Sequence, residues 1–268
     1  MRLRFVVFVM ALVAVLTSTL TVAQMKPWNI AGLGASPAAG SSSAPAPRRD
    51  LSGIWDAGQR GIQPTGYNVA TLFTAPGEKI ARANKPGNGP RIADVSEDND
   101  PLSTLGDPVG FPRILLYELR PFQIVQTPNQ VLMLYKFDKR WRVIWTDGRA
   151  LPKDPDPRWY GYSVGHWEYD DSLVVQSVGT DDRTWLDNAG NPHSTSLRVE
   201  ERYHRVNQNT MELTVTIDDP VMYTKPWTPL SNLPIRLMPN DTDLMEMIPS
   251  ASDAAAYRRE IASQAKTK

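Results

Sequence analysis

A series of short β-type segments in the second half of the sequence constrains the fold more than any other feature. From Phe122 onward, stretches of about five to eight residues are rich in Val, Ile, Thr and aromatic side chains and are separated by polar turns. Turns such as Lys139-Arg140 and Asp170-Asp171 are short enough for tight hairpins. The predicted strands are Phe122–Thr127, Val131–Asp138, Trp141–Thr146, Tyr162–Tyr169, Ser172–Gly179, Leu197–Val206, Met211–Asp218 and Leu233–Leu237.

Consecutive hairpins of this kind predict an all-β antiparallel meander. A further strand around Ile54-Trp55 raises the number to about eight or nine, which is enough to close a barrel and remove its exposed edges. A barrel of that size is filled by side chains or holds one small ligand. Two helices are predicted outside the strands, one at about Ala75–Ala83 and one at the C-terminus, from a cap at Ser252 to about Ala265.

The N-terminus predicts export. Arginines occupy positions 2 and 4, Phe5–Leu16 is almost wholly apolar, and Thr21-Val22-Ala23 offers small residues for cleavage. We expect a signal peptide over 1–23, a flexible Ala/Pro/Ser-rich spacer over 24–49 and one barrel domain with its C-terminal helix over 50–268. No second apolar stretch of this length follows, so we predict a periplasmic or extracellular protein without stable membrane insertion after cleavage.

Composition excludes several classes of protein. The chain has no Cys, so it has no disulfides, thiolate metal sites or cysteine nucleophile. Its 29 basic and 29 acidic residues give a formal charge of zero, and no basic run is present. Because nucleic acids are held mainly by clustered Lys and Arg, we predict no nucleic-acid partner.

The residue types that could carry chemistry concentrate between Gly179 and Ser196, a long connection between two predicted strands. One hypothesis makes His193 a general acid or base at the barrel mouth, oriented by Asp187 or Asp182, with Trp185 stacking on a ligand. The alternative is that the polar residues make local turn hydrogen bonds and that His193 caps a strand end.

Strand alternation places one carboxylate on a buried face. Glu201 shares its row with Leu197, Val199 and Tyr203, which are apolar or aromatic. A buried carboxylate needs a partner or an altered pKa. Glu201 is therefore either half of an internal ion pair with a cross-strand Arg, or bonded to a Tyr hydroxyl, or a catalytic acid.

The remaining candidates are ligand-binding side chains. Trp145, Tyr162 and Trp185 could stack on a flat ligand, or could equally fill the barrel. His166 could contact the same ligand, although a His beside aromatics on a strand is more often a hydrogen-bonded core residue. His204 is most simply a surface residue. The three His lack the spacing of familiar metal ligands, and no phosphate-binding glycine loop occurs, so we predict neither a metal nor a cofactor.

Two resemblances follow from particular motifs. Gly53-Ile54-Trp55 on a first strand before a long meander is similar to the opening of lipocalins and other calycin barrels. More of the chain resembles a large group of secreted, uncharacterised bacterial proteins. This resemblance implies that the His193 loop and the turn from Asp218 to Trp227 belong to the group's pattern. The group usually has a Cys near Pro108–Pro112 and another near Ile248, and this chain has neither. The motifs shared with the group are Pro121–Pro128 (PFQIVQTP), Ile144–Arg149 (IWTDGR), Ser163–Glu168 (SVGHWE), Thr184–Asp187 (TWLD), Pro192–Ser194 (PHS), Glu201-Arg202 and Ile217–Trp227 (IDDPVMYTKPW).

These observations leave three functions open. The first is binding of a small, partly apolar molecule in the barrel cavity. The second is a cofactor-independent isomerase, lyase or cyclase with His193 as base, Asp187 as its orienting group and Glu201 as acid. The third is a structural or partner-binding envelope protein, which is favoured if the barrel proves to be filled.

Overall fold

Strands make up most of the regular structure. The computed structural model describes residues 29–30, 44–63, 66–87, 91, 94–248 and 250–265; the predicted signal peptide and most of the spacer lie outside these residues. The strands are β1 (Asn29–Ile30), β2 (Gly53–Asp56), β3 (Phe122–Gln126), β4 (Gln130–Tyr135), β5 (Trp141–Trp145), β6 (Tyr162–Glu168), β7 (Ser172–Val178), β8 (Arg198–Asn207), β9 (Thr210–Asp218), β10 (Trp227–Leu237) and β11 (Thr242–Asp243). The helices are α1 (Ala75–Ala83), α2 (Pro101–Thr104), α3 (Arg113–Leu116) and α4 (Ala251–Ala265), and short 3₁₀ turns occur at Gly58–Gly61, Ala70–Leu72 and Val95–Glu97.

Strands β2 to β10 close into a nine-stranded barrel. They follow one another around the wall in chain order, and β10 completes the ring by pairing with both β9 and β2. The predicted all-β barrel, its meander order and its C-terminal helix are confirmed. Most strand boundaries agree with the prediction within one residue. The main exception is β10, which begins at Trp227 because Pro229, Pro234 and two register shifts against β9 interrupt its alternation.

The sequence predicts an antiparallel meander, but one neighbouring pair of strands in the barrel is parallel. Strands β5 and β6 pair in parallel, with Ile144 opposite Ser163 and Trp145 opposite Val164. Nine strands cannot alternate in direction all the way round a closed ring, so at least one neighbouring pair must be parallel. Parallel neighbours need a long crossover. Residues 146–161 provide it, and we call this segment the crossover.

The interior of the barrel is filled by side chains. One row of each long strand points inward and is buried, as in β9, where Met211, Leu213 and Val215 are fully buried. The chain before β3 adds a plug, defined here as residues 109–119. Its buried apolar side chains belong to the same core as the barrel strands and are Val109, Phe111, Ile114, Leu115, Leu116 and Leu119.

Two capped helices lie outside the barrel. Helix α1 has the predicted bounds, and the Thr74 hydroxyl caps it by accepting a hydrogen bond from Gly77 N at 3.1 Å. Helix α4 begins at Ala251, and the residue whose hydroxyl accepts from Asp253 N at 3.1 Å is Ser250 rather than the predicted Ser252. Within the described residues, no helix is long and apolar enough to cross a membrane.

Candidate functional site

The loop that carries His193 is packed into the protein. Every residue from Thr184 to Ser194 is buried, and the His193 side chain is 2% exposed. The imidazole Nε2 lies 2.8 Å from the Thr184 hydroxyl, and Nδ1 lies 3.4 Å from the Ser194 carbonyl oxygen. Burial lowers the pKa of His193, so the ring is held in its neutral form.

Asp187 organises the same loop without contacting His193. Its carboxylate accepts hydrogen bonds from Tyr67 N at 2.8 Å, Ala189 N at 2.9 Å and the Asn191 side-chain amide at 2.7 Å. Burial raises the pKa of Asp187, and these hydrogen bonds oppose that rise. The predicted His193–Asp187 hydrogen bond is therefore not formed. The other proposed orienting residue, Asp182, is exposed.

Glu201 lies inside the barrel as half of an ion pair. Arg142 of β5 donates to both of its carboxylate oxygens, one at 3.1 Å, and the Tyr203 hydroxyl donates to Oε2 at 2.7 Å. Both members of the pair are almost fully buried. The Phe111 ring of the plug covers the guanidinium, with its centroid 4.1 Å from Arg142 Cζ. The interior pair that we weighed against a catalytic acid is thus present.

Two of the proposed ligand-binding residues lie apart from each other. Trp185 is 5% exposed and packs beside Arg113, whose guanidinium carbon is 5.6 Å from the ring centroid. His166 is on the outer face of β6 with its side chain 59% exposed, 3.7 Å from Glu168. The expectation of a core histidine at position 166 is therefore wrong, because its row faces outward. His204 is half-exposed, as expected of a surface residue, and contacts the Ser172 hydroxyl at 3.0 Å.

Trp145 and Tyr162 are brought together on the outside of the barrel. The outward row of β5 contains Trp141, Val143 and Trp145, and the outward row of β6 begins with Tyr162 and Val164. The parallel β5–β6 pairing sets these rows side by side, and the crossover lies against them. Together they line a groove of about 540 Å³, which we call the aromatic groove.

Two arginines of the crossover stack on the rings of this groove. The Arg149 guanidinium carbon lies 3.6 Å from the Trp145 ring centroid, and that of Arg158 lies 4.0 Å from the Tyr162 centroid. Such cation–π contacts orient a planar guanidinium parallel to a ring face. The groove therefore combines apolar ring surface with two cations stacked on its rings.

The crossover borders two further depressions on the barrel wall. Their volumes are about 280 Å³ and 650 Å³, and Leu151 and Val178 line both. No aromatic side chain lines either one. The depression of about 650 Å³ is larger than the aromatic groove but lacks the ring surfaces that bind flat apolar molecules. The aromatic groove is therefore the better candidate site.

The sequence interpretation missed both stacking arginines. Trp145 and Tyr162 were predicted as stacking residues because they are aromatic, but an antiparallel meander offered no reason to connect them with residues 149 and 158. A signal was present in the length of the segment between the predicted strands Trp141–Thr146 and Tyr162–Tyr169, which is too long for a hairpin and rich in Pro. A crossover of that length would have indicated a parallel pair and an overlying chain.

The fold and site define a closed nine-stranded barrel with a filled interior and an aromatic groove on its outer wall. No protein-family model, curated protein or solved structure matches the chain. Within the described residues, no group of three or more His, Asp and Glu side chains is arranged to hold a metal ion.

Proposed function

We propose that this protein is exported and binds a small, partly apolar molecule in the aromatic groove. One observation carries the proposal: Trp145 and Tyr162, predicted separately as stacking residues, line the same groove together with Trp141, which is 63% exposed. A volume of about 540 Å³ falls within the range of about 300–1,000 Å³ that is usual for small-molecule sites.

The proposal places the ligand on the barrel wall instead of in the cavity that the sequence suggested. Phe111, Arg142 and Glu201 occupy the interior, and the buried inward rows surround them. The outward rows of β5 and β6 are only partly covered. Covering apolar ring surface that the protein leaves exposed to water contributes favourable free energy to ligand binding.

The geometry favours binding over acid–base catalysis. Asp187 and Glu201 direct their oxygens at donors of the protein, and the imidazole of His193 is buried against Thr184. None of these three residues lines the aromatic groove. The catalytic roles of these three residues stay predictions, and no contact in the described residues favours them over binding.

Two measurements test the proposal. Native mass spectrometry of the mature protein purified from its own host should show a bound small molecule. Titration with 2-naphthamide, monitored by tryptophan fluorescence, should show saturable binding. Tyr162→Ala should weaken this binding by about tenfold, the size expected for loss of an aromatic side chain that contacts the ligand.

A matched control is available at Tyr169, which is 82% exposed and does not line the groove. Tyr169→Ala should leave the affinity for 2-naphthamide unchanged. Equal losses in the two variants, or an empty protein that does not respond to the probe, would contradict the proposal and favour the structural envelope role.

A further inference from the structure

Three arginines line the aromatic groove: Arg142, which is paired with Glu201, and the crossover residues Arg149 and Arg158, which differ in their electrostatic state. Arg149 forms a bidentate ion pair with Asp147, at 2.9 Å from Nε to Oδ1 and 2.6 Å from Nη2 to Oδ2. This hydrogen bonding lowers the pKa of Asp147, so the pair stays ionised on both sides. The positive charge of Arg149 is therefore balanced within the protein.

Arg158 has no such balance. Among the described residues its guanidinium makes no side-chain hydrogen bond, and no carboxylate oxygen lies within 4.0 Å of it. Asp154 and Asp156 are exposed on the same crossover and also fall outside that distance. The groove thus contains one cation without a carboxylate partner on the part of the chain that the structure describes.

Arg158 is also held in position. Its backbone N donates to the Gly179 carbonyl at 2.9 Å, and its own carbonyl accepts from Asp181 N at 3.0 Å. The guanidinium lies over Tyr162, with 4.0 Å from Cζ to the ring centroid. A guanidinium that stacks on a ring keeps the N–H groups of its edge available, and these can bind a carboxylate with two parallel hydrogen bonds.

We propose that the ligand of the aromatic groove is a planar aromatic carboxylate whose anionic group is bound by Arg158. This inference rests on the proposed function and specifies its ligand class. The apolar ring of the ligand covers the exposed edges of Trp145 and Tyr162, while its carboxylate neutralises the unpaired guanidinium. Arg158 is then the residue that selects for charge, and the aromatic side chains select for a flat apolar body.

Two probes of the same shape separate these contributions. 2-Naphthoate and 2-naphthamide share one ring system and differ in charge, so the ratio of their dissociation constants measures selection for the anion. For the mature wild-type protein at pH 7 and low salt, we expect 2-naphthoate to bind about tenfold more tightly, the size of a charge-assisted hydrogen bond at a partly solvated site. Added salt should reduce this ratio, because exposed charges are screened.

Variants assign the selection to one residue. Arg158→Gln should bring the ratio close to one, because it removes the charge that distinguishes the two probes. Arg158→Lys should retain part of the preference, because lysine keeps the charge but cannot form two parallel hydrogen bonds. Arg60→Gln is the matched control, since Arg60 is exposed and does not line the groove. This substitution should preserve the ratio.

The possible outcomes distinguish the inference from the proposed function. Equal binding of the two probes by the wild type would overturn the anionic ligand class. An unchanged preference in Arg158→Gln would overturn the assignment of the anion to Arg158. Both results leave binding in the groove intact. Failure of both probes to bind would overturn both. A preference that disappears in Arg158→Gln and persists in Arg60→Gln supports the assignment.

Discussion

The Arg142 guanidinium of β5 and the Glu201 carboxylate of β8 form a bidentate ion pair across the interior of the barrel. Strands β6 and β7 lie between them in the wall, so the pair connects two non-neighbouring strands through the interior. The Tyr203 hydroxyl and the Phe111 ring complete its surroundings. Burial raises the pKa of nearby Tyr135 to about 12, which keeps that phenol neutral beside the pair.

Removing one member of this pair should destabilise the fold strongly. Glu201→Leu leaves Arg142 buried without a counter-ion, so we expect the free energy of unfolding to fall by about 3–5 kcal/mol in urea titrations. The double variant Arg142→Met with Glu201→Leu should lose less, because no uncompensated charge is left inside. The Glu168–Arg202 pair is a surface control, with side chains 37% and 39% exposed. Glu168→Gln should cost less than about 1 kcal/mol. Equal losses for Glu201→Leu and Glu168→Gln would contradict the assignment of a buried pair.

The Phe111 side chain of the plug should contribute strongly to the stability of the barrel. Phe111 is fully buried and belongs to the barrel core, so Phe111→Ala should lower the free energy of unfolding by about 3–5 kcal/mol. Leu105 precedes the plug and is 57% exposed, and Leu105→Ala should change stability by less than about 0.5 kcal/mol. A small loss for Phe111→Ala would show that the barrel interior does not depend on the plug.

Features set by residues close together in the sequence were predicted, and features set by distant residues were not. Short turns join β3 to β4, β4 to β5, β6 to β7 and β8 to β9, so the pairing and facing rows of these strands are encoded locally. Glu201, on β8, was correctly placed on an inward row. The parallel β5–β6 pair follows from closure of the whole ring, and the sequence signals it only through the length of the segment between the two strands. The plug lies in a Pro- and Gly-rich region without periodicity, and its packing is decided by the shape of the barrel interior.

The His193 loop shows a second limit. Asp187 is close to His193 in sequence, and a carboxylate near an imidazole suggested an orienting hydrogen bond. In the folded protein, the backbone N–H groups of Tyr67 and Ala189 donate hydrogen bonds to the Asp187 carboxylate instead. Turns leave such backbone donors without partners in secondary structure, so a nearby carboxylate accepts from them. Residue types alone identify the groups that can pair, and the backbone path decides which of them meet.

Asp187 should therefore act on stability through the loop. Asp187→Ala removes the acceptor of four hydrogen bonds, and we expect a loss of about 2–4 kcal/mol in the free energy of unfolding. Asp182→Ala in the same loop should stay within about 0.5 kcal/mol of the wild type, since Asp182 is exposed. Chemical denaturation of both variants checks the prediction. Equal stability of Asp187→Ala and Asp182→Ala would contradict this structural role and favour a functional role for the Asp187 carboxylate.

His193 should make stability depend on pH in a defined direction. Its pKa is lowered in the folded state, so between that lowered value and the ordinary value of about 6.5 the unfolded chain binds more protons at this position than the folded chain does. The free energy of unfolding therefore decreases as pH falls through this window, by up to about 1.4 kcal/mol per pH unit.

The variant His193→Gln isolates this contribution. Glutamine keeps a polar side chain near the Thr184 hydroxyl but has no titrating group, so the decrease in stability between pH 7 and pH 5 should be smaller than in the wild type. Urea unfolding at closely spaced pH values measures the difference in slope. His166→Gln is the matched control, because His166 is exposed on the barrel wall, and it should retain the wild-type slope. Identical slopes in the wild type and His193→Gln would mean that folding does not lower the pKa of His193. An acid or base role for His193 would then be open again.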